Sequence, residues 1–486
     1  MNVVLYNPRA QAAHRRLPLS LLFVARQLPE RHPWDLVDAN VEPDAERRLD
    51  VLCARPDTVL FVTVMPGPQL QQATPWSRRL KQRHPGLIVV WGGYFPSIHT
   101  AACVADDGVD VVVVGPGERT AVELLDRLAA GGDPAGLRGV AVWRDGALVK
   151  GPDRGAERPS AFGPVPYERL DMDRYAARTF LGRRTFNHHS SAGCPYFCNF
   201  CAVVNLFDGR WLPDPVEHVV GVVDHLVNRY GADAVEFHDN NFFAWEKRTR
   251  EVADGIARHR IAWWGEGRVD TMLGFSGETW EAMARSGLRM VFFGAESGDQ
   301  EALDQMDKGG LQVADIRALN RVAQRHGIAP EFSFVLGNPH HPQRDIDLTL
   351  ELVRAVKSEN PTAEIILYLY TPVPLPGMYD EATKGGFRFP ETLDDWLSPD
   401  WSNYAGRRNP HTPWITEAMI HQIRDFETVL HARHPTASDL NLGRWQRRAL
   451  RVLAAPRYRL GLYARPWEIK LLQKAWNYRR PEEMGF

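Results

Sequence analysis

The chain has 486 residues, enough for two or three domains rather than one growing core. Apolar residues make up 44% and charged residues 24%, and 58 Lys and Arg against 60 Asp and Glu leave no global field for nucleic acid or an anionic membrane. Five cysteines, three of them within one short stretch, exclude a disulfide framework, and no apolar run is long enough to span a bilayer.

Met1 to Tyr6 runs straight into a strand with no basic leader, and clustered thiols want a reducing compartment, so a cytoplasmic protein is expected. Up to about residue 148, short β-branched runs alternate with amphipathic stretches. Val3–Tyr6, Asp35–Val37, Val59–Val62, Leu87–Trp91 and Val109–Val114 predict strands, and their lack of polar alternation suits a parallel sheet buried on both faces. Leu19–Leu28, Gln69–Arg83 and Glu118–Leu128 predict the intervening helices. This βα alternation is that of an open, doubly wound α/β domain, whose ligands sit at the carboxyl ends of the strands. Those ends are Asn7-Pro8, Thr63-Val64-Met65-Pro66, Gly92-Gly93-Tyr94-Phe95-Pro96 and Gly115-Pro116-Gly117-Glu118. Each alone is a tight turn; together, with glycines that admit close backbone approach, they make a binding face.

Residues 149–183 are rich in Gly, Pro and Arg and predict a linker crossing a surface. From 184 to about 378 the rhythm returns. Strands are expected at Thr185–Asn187, Ala234–His238, Ala262–Arg268, Met290–Ser297, Glu331–Gly337 and Ile365–Tyr370. Six βα units in ~190 residues are too few for an eight-unit barrel of ~250, so a partial (β/α)6 barrel fits better. Residues 379–486 lose the rhythm and turn rich in Trp, Arg and Pro. Helices at Glu417–His431 and Asp439–Leu453 suggest a helical cap whose aromatics pack against the barrel mouth.

Between the first two barrel strands lies Cys194-Pro-Tyr-Phe-Cys198-Asn-Phe-Cys201. Three thiolates without a fourth suit a [4Fe-4S] cluster with one iron left open to an exogenous ligand. The alternative is a zinc site completed by His188, His189 or a distant residue, although zinc motifs usually come as two Cys pairs and no second pair occurs.

The combination resembles the radical S-adenosylmethionine (SAM) superfamily, and within it the class with an N-terminal cobalamin-binding domain. The likeness rests on the cysteine triplet with Phe200 before its last member, on Asp239-Asn240-Asn241-Phe242 after the second strand, and on Gly294-Ala295-Glu296-Ser297-Gly298 followed by Met306-Asp307-Lys308-Gly309. Pro374-Leu375-Pro376-Gly377-Met378-Tyr379 is similar to the family's closing element, with Met378 where Thr is common. It covers nearly the whole chain and implies three cofactors: a [4Fe-4S] cluster on Cys194, Cys198 and Cys201, SAM on the open iron, and cobalamin in the first domain.

By that resemblance Phe200, Asp239, Asn240, Glu266, Arg268, Glu296, Ser297 and Asn338 are the SAM contacts. Asn7, Pro8, Thr63, Val64, Met65, Pro66, Gly92, Gly93, Tyr94, Pro96, Gly115, Gly117 and Glu118 are the cobalamin contacts. No Asp-x-His-x-x-Gly occurs, so no histidine is expected beneath cobalt, and Met65 and Pro66 are candidates there. The implied activity is a class B methyltransferase that moves a methyl group from methylcobalamin to an unactivated carbon of a small biosynthetic intermediate, using a 5′-deoxyadenosyl radical. A flavodoxin or ferredoxin would supply electrons, and no nucleic acid is involved. The alternative is a non-methylating cyclase or rearrangement enzyme, because Gly385–Trp396 is similar to the anaerobic magnesium-protoporphyrin ester cyclases. A cobalamin or cluster sensor is a third reading, for which no output module is found.

Overall fold

The computed structural model describes residues 1–10, 15–402, 411–437, 440 and 442–478. Seven strands form the first sheet: β1 (Asn2–Asn7), β2 (Trp34–Asp38), β3 (Thr58–Thr63), β4 (Ile88–Gly92), β5 (Val111–Val113), β6 (Val140–Arg144) and β7 (Ala147–Lys150), in the order β2-β1-β3-β4-β5-β6-β7. β1 to β5 are parallel, and the connectivity changes direction between β1 and β3, where such sheets open a ligand crevice. β6 and β7 pair antiparallel, a hairpin the strand pattern did not anticipate. Its signal was present: Asp145-Gly146, both at positive φ, form the two-residue turn that matches the twist of paired strands.

The period-2 alternation of a twice-buried sheet is visible side chain by side chain. Val3, Leu5, Phe61, Val90 and Val113 face one way into Leu22, Leu124 and Leu125, in a core continuous with that of the barrel. Val4, Tyr6, Leu60, Val62 and Trp91 face the other way into Leu49, Leu70 and Leu80, and that layer also takes in Phe387, Leu393 and Trp396 from far along the chain.

The stretch between the two sheets is tied down, where a surface crossing was expected. It forms three short 3-10 turns with Val165, Tyr167, Met172 and Tyr175 buried. Tyr175 Oη donates to the buried Asp38 carboxylate at 3.1 Å, and Tyr167 Oη lies 3.2 Å from His188 Nδ1.

The second sheet has six parallel strands in the order β15-β14-β13-β12-β11-β8: β8 (Thr185–His188), β11 (Ala234–Phe237), β12 (Ala262–Arg268), β13 (Leu288–Glu296), β14 (Ala329–Leu336) and β15 (Glu364–Leu369). β8 and β15 do not pair with each other, so the barrel is partial. A small hairpin of β9 (Ser191–Gly193) and β10 (Trp211–Pro213) brackets the cysteine loop. On the β8 edge, Asn187 Oδ1 accepts from Leu17 N at 2.8 Å and its Nδ2 donates to Leu17 O at 3.3 Å, so a loop of the first domain is tied to that side.

The C-terminal aromatics do not act together at the barrel mouth. Trp414 does, donating Nε1 to Gly337 O at 3.0 Å beyond β14. Trp396 instead packs edge-on against Phe95 at 5.0 Å, on the first sheet's helical layer, with His99 4.7 Å away. The helix Glu417–Arg433 joins the barrel core through Ile423, Phe426 and Leu430. Its successor begins at Arg444, and Asp439, where it was expected to start, lies outside the described residues. No helix among the described residues is long and apolar enough to cross a membrane.

Replacing Trp396 by Ala deletes a fully enclosed ring system from the layer that joins residue segments some 300 apart in sequence, and the expected cost is about 3–5 kcal/mol. Denaturant unfolding should show the first transition moved to markedly lower concentration; an unchanged midpoint would mean that this segment is not part of the first domain's core.

Candidate active site

The cysteine loop is clamped by long-range hydrogen bonds. Asn199 N donates to Met306 O at 3.3 Å and its Nδ2 to Gln305 O at 2.8 Å, while Tyr196 Oη meets Thr271 Oγ1 at 2.8 Å. Burial pushes the Cys201 thiol up to about 11, and burial also raises that of Cys194. The thiols therefore hold their protons until a metal displaces them. His188, a candidate fourth zinc ligand, turns Nδ1 to Tyr167, and among the described residues no three His, Cys, Asp or Glu side chains converge on a single ion.

Positive charge is built against the thiols. Arg268, at the end of β12, is buried and donates Nη1 to Cys198 Sγ at 3.2 Å. Its other side forks onto Asp270, Nε to Oδ1 at 3.0 Å and Nη2 to Oδ2 at 2.7 Å, and its plane lies 3.7 Å above the Tyr196 ring. Lys308 is buried too. Desolvation opposes its charge, but the Glu296 carboxylate 2.5 Å away and Cys198 hold its pKa above the ordinary value. Glu296 sits at φ +62°, in the left-handed region that costs a non-glycine residue roughly 1–2 kcal/mol. A Cβ at Gly294 would collide with the Glu296 carboxylate, so the glycine is what lets that carboxylate turn back toward Lys308.

The remaining sequence-derived SAM candidates separate into two groups. Phe200 stands beside Lys308, whose Nζ is 5.5 Å from the ring centroid. Ser297 and Asn338 converge on one buried carboxylate that the sequence reading missed: Asp345 accepts from Ser297 Oγ at 2.5 Å and from the Asn338 backbone N–H at 3.0 Å. Asn338 Nδ2 is buried without a hydrogen-bond partner. Asp239, among the expected SAM contacts, is held by the loop before the cysteines. Ser190 N, Ser190 Oγ at 2.9 Å and Ser191 Oγ at 2.5 Å all donate to it. Its neighbour Asn240 is exposed, and Asn241, not singled out before, points Nδ2 at Cys194 Sγ, 3.7 Å away.

Inside the barrel, Glu266 is half-buried and stands 3.9 Å from His238 Nδ1. Burial, reinforced by Asp239, pushes Glu266 up to about 8, so it is largely protonated at neutral pH. Burial and then Arg16 push His238 down to about 4. His238 Nε2 meets Glu236 Oε2 at 3.0 Å, and Arg16 reaches across from the first domain to within 3.6 Å of the same oxygen. No local pattern announces Arg16: its partner is more than two hundred residues away.

The first sheet and the barrel share one cavity of about 310 Å³. Thr63, Gly92, Gly93, Tyr94, Gly115, Gly117 and Glu118 wall it from the strand ends, as anticipated, together with Ser20, Ser97 and Pro116. His189, Ser191, Ala192 and Asn240 wall it from the barrel side. Asn7, Pro8, Val64, Met65, Pro66 and Pro96 are not among its walls. Asn7 Oδ1 and Pro8 O accept from Gln69 Nε2, Val64 is enclosed in the sheet, and Met65 is 47% exposed.

Residues 9–125 match the family model described as B12 binding domain, and residues 189–353 match that of the Radical SAM superfamily. An uncharacterized methyltransferase of Pyrococcus horikoshii, PH0819, is 26% identical over 73% of this chain and 78% of its own length. The anaerobic magnesium-protoporphyrin IX monomethyl ester cyclase of Synechocystis sp. is 24% identical over 68% of this chain and 67% of its own. The solved structure of TsrM from Kitasatospora setae, a radical S-adenosylmethionine methyltransferase, superposes with a TM-score of 0.66 over 98% of each chain at 17% identity, a likeness of fold. With both domains in one chain, in this order and facing one cavity, the protein belongs to the radical SAM enzymes that carry an N-terminal B12-binding domain.

Proposed function

We propose that this enzyme methylates an unactivated carbon of a small molecule, with a [4Fe-4S] cluster, SAM and cobalamin as its cofactors. The observation that carries the reading is the shared cavity, because a methyl carrier on the first sheet and a radical source in the barrel must both reach one substrate. The names of PH0819 and TsrM as methyltransferases support it. We assign residues 1–148 to the cobalamin-binding domain, 149–183 to a connecting segment, 184–378 to the partial barrel and 379–486 to the C-terminal region.

The residues present suit these groups. Three thiols share one loop and one of them, that of Cys198, accepts from a buried guanidinium, while Asn241 Oδ1 and Asn338 Nδ2 are a buried acceptor and donor without partners. A Cβ at Gly115 would meet nothing within 4 Å, so that wall is open to a bulky ligand. When bound, the cluster and SAM supply a carbon-centred radical that removes hydrogen from the substrate, and cobalamin supplies the methyl group. Cys194, Cys198 and Cys201 hold the cluster, and Arg268 donates to Cys198 and offsets the charge of the thiolates. Lys308, Glu296, Phe200 and Asn338 border the SAM position. Thr63, Gly92, Gly93, Gly115 and Gly117 form the cobalamin wall. Asn240 and His189 stand on the substrate's side, and Glu266 offers its proton as a hydrogen-bond donor in the lumen. A flavodoxin or ferredoxin is the electron donor this chemistry calls for.

The reconstituted full chain, given methyl-labelled SAM, a low-potential reductant and candidate metabolites, should form 5′-deoxyadenosine and S-adenosylhomocysteine together and label the product. Deoxyadenosine with no methyl transfer would overturn methylation in favour of cyclisation or rearrangement. Cys198→Ala should lose both products, with iron falling well below about four per chain.

Gly115→Leu should cut cobalamin uptake, read from the corrin absorbance, by about tenfold or more while iron content stays at the wild-type level. The new side chain fills the wall, and its left-handed backbone adds only about 1–2 kcal/mol of strain. Unchanged uptake would move the cobalamin site away from this cavity.

Because folding raises the Glu266 pKa, its contribution to stability is complete below about 4.5 and is lost as pH rises through about 8. Glu266→Gln should therefore melt like wild type in acid and above it in alkali, in the cofactor-free protein. Equal melting temperatures across the range would mean that the carboxyl is not desolvated.

A further inference from the structure

Although the chain as a whole is near neutral, its positive charge is segregated. Residues 442–478 contain nine Lys and Arg and a single acidic residue, Glu468, which is already paired to Arg457. The helix Arg444–Leu460 has six arginines and no Asp or Glu, and spans about 25 Å. Arg444, Arg448, Arg451 and Arg459 have no acidic partner among the described residues.

The same region holds six of the fourteen large apolar side chains exposed among the described residues, which is far more than a scatter of single surface hydrophobes. Their positions are periodic. Arg444, Trp445, Arg448, Arg451, Val452, Pro456, Arg459 and Leu460 are all exposed and fall on one helical stripe, while Leu450 and Ala454 of the opposite face pack into a small core with Val429 and Ile469. The next helix, Trp467–Ala475, repeats the pattern with Trp467, Lys470, Leu471 and Lys474 exposed. Trp445, Val452, Leu460 and Trp467 are each 65–68% exposed.

We propose that these two helices lay the enzyme on an anionic lipid surface, with Trp445, Val452, Leu460, Trp467 and Leu471 entering the interface and the arginines held at the level of the headgroups. Arginine and tryptophan on one outward face suit that boundary, since the stems of arginine cover apolar surface while the guanidinium stays among phosphates. Nucleic acid would satisfy the arginines but offers nothing to Val452, Leu460, Leu462 and Leu471. An acidic protein would need a separate pocket for each protruding side chain, whereas a fluid interface accommodates all of them.

Sedimentation of the full chain with vesicles tests this. The chain should pellet with phosphatidylcholine–phosphatidylglycerol vesicles and stay in solution with phosphatidylcholine alone, and raising the salt should weaken binding. Arg448→Glu with Arg451→Glu, and separately Trp445→Ala with Trp467→Ala, should each lower partitioning by about tenfold while iron content and melting match wild type. If the glutamate variant melts early, Arg448→Gln with Arg451→Gln takes its place. Equal binding to both vesicles, no binding to either, or variants that bind like wild type would overturn the proposal. So would arginine variants that weaken binding to an acidic redox protein while the wild-type chain ignores vesicles, because the face would then be a protein interface.

Discussion

Gathering three thiols on one loop is tolerable in a folded protein only where positive charge stands ready for the thiolates, and much of this architecture serves that need. Arg268 and Lys308 are buried cations, which are expensive unless each has its own counter-charge. Asp270 and Glu296 supply it. The demand propagates outward. Glu296 reaches Lys308 from a left-handed backbone, and Gly294 must lack a side chain to let it. The irregular register of β13 against β14 falls at the same place, between Gly294 and Glu296. A barrel strand is thus bent out of regular pairing to keep one ion pair beside the cysteines.

Charge balance also separates the polar residues into those that face a ligand and those that hold the frame. Asp239, just beyond β11, and Asp345, in the first turn of the helix after β14, carry the same functional group, and both are saturated by serines and backbone N–H groups. Glu266 lacks such donors, so burial leaves it protonated. A carboxyl that stays neutral near physiological pH can donate a hydrogen bond, which an ionised one cannot.

Most of the fold was legible because its strands are uninterrupted β-branched runs, the mark of a sheet covered on both faces. The hairpin β6–β7 escaped because β7 is only four residues long and wholly exposed, so its short Ala147-Leu148-Val149 run shows no buried-strand pattern. Within the site, residues adjacent in sequence were recoverable: the cysteines, Phe200, Asn240 and the segment from Glu296 to Lys308 form compact motifs. Asp239 lay within such a motif, but its partners Ser190 and Ser191 could not be read there, since they are fixed only by tertiary structure. Arg16, Asp345 and Trp396 were invisible for the same reason. The aromatic and basic C-terminus was read as packing, and net composition concealed how far its charge is concentrated.

The pair of hydrogen bonds between Asn187 and Leu17 has a consequence for how the molecule can be divided. An incomplete barrel leaves a parallel strand with unsatisfied backbone groups, a template for unwanted pairing with other chains. Here the backbone of that edge is paired at Thr185 with Ala177 of the connecting segment, and the Asn187 side chain ties the strand to a loop of the other half of the protein. Gene fusions or excisions that separate the two halves would therefore cut that tether and leave the edge strand with its connecting segment alone.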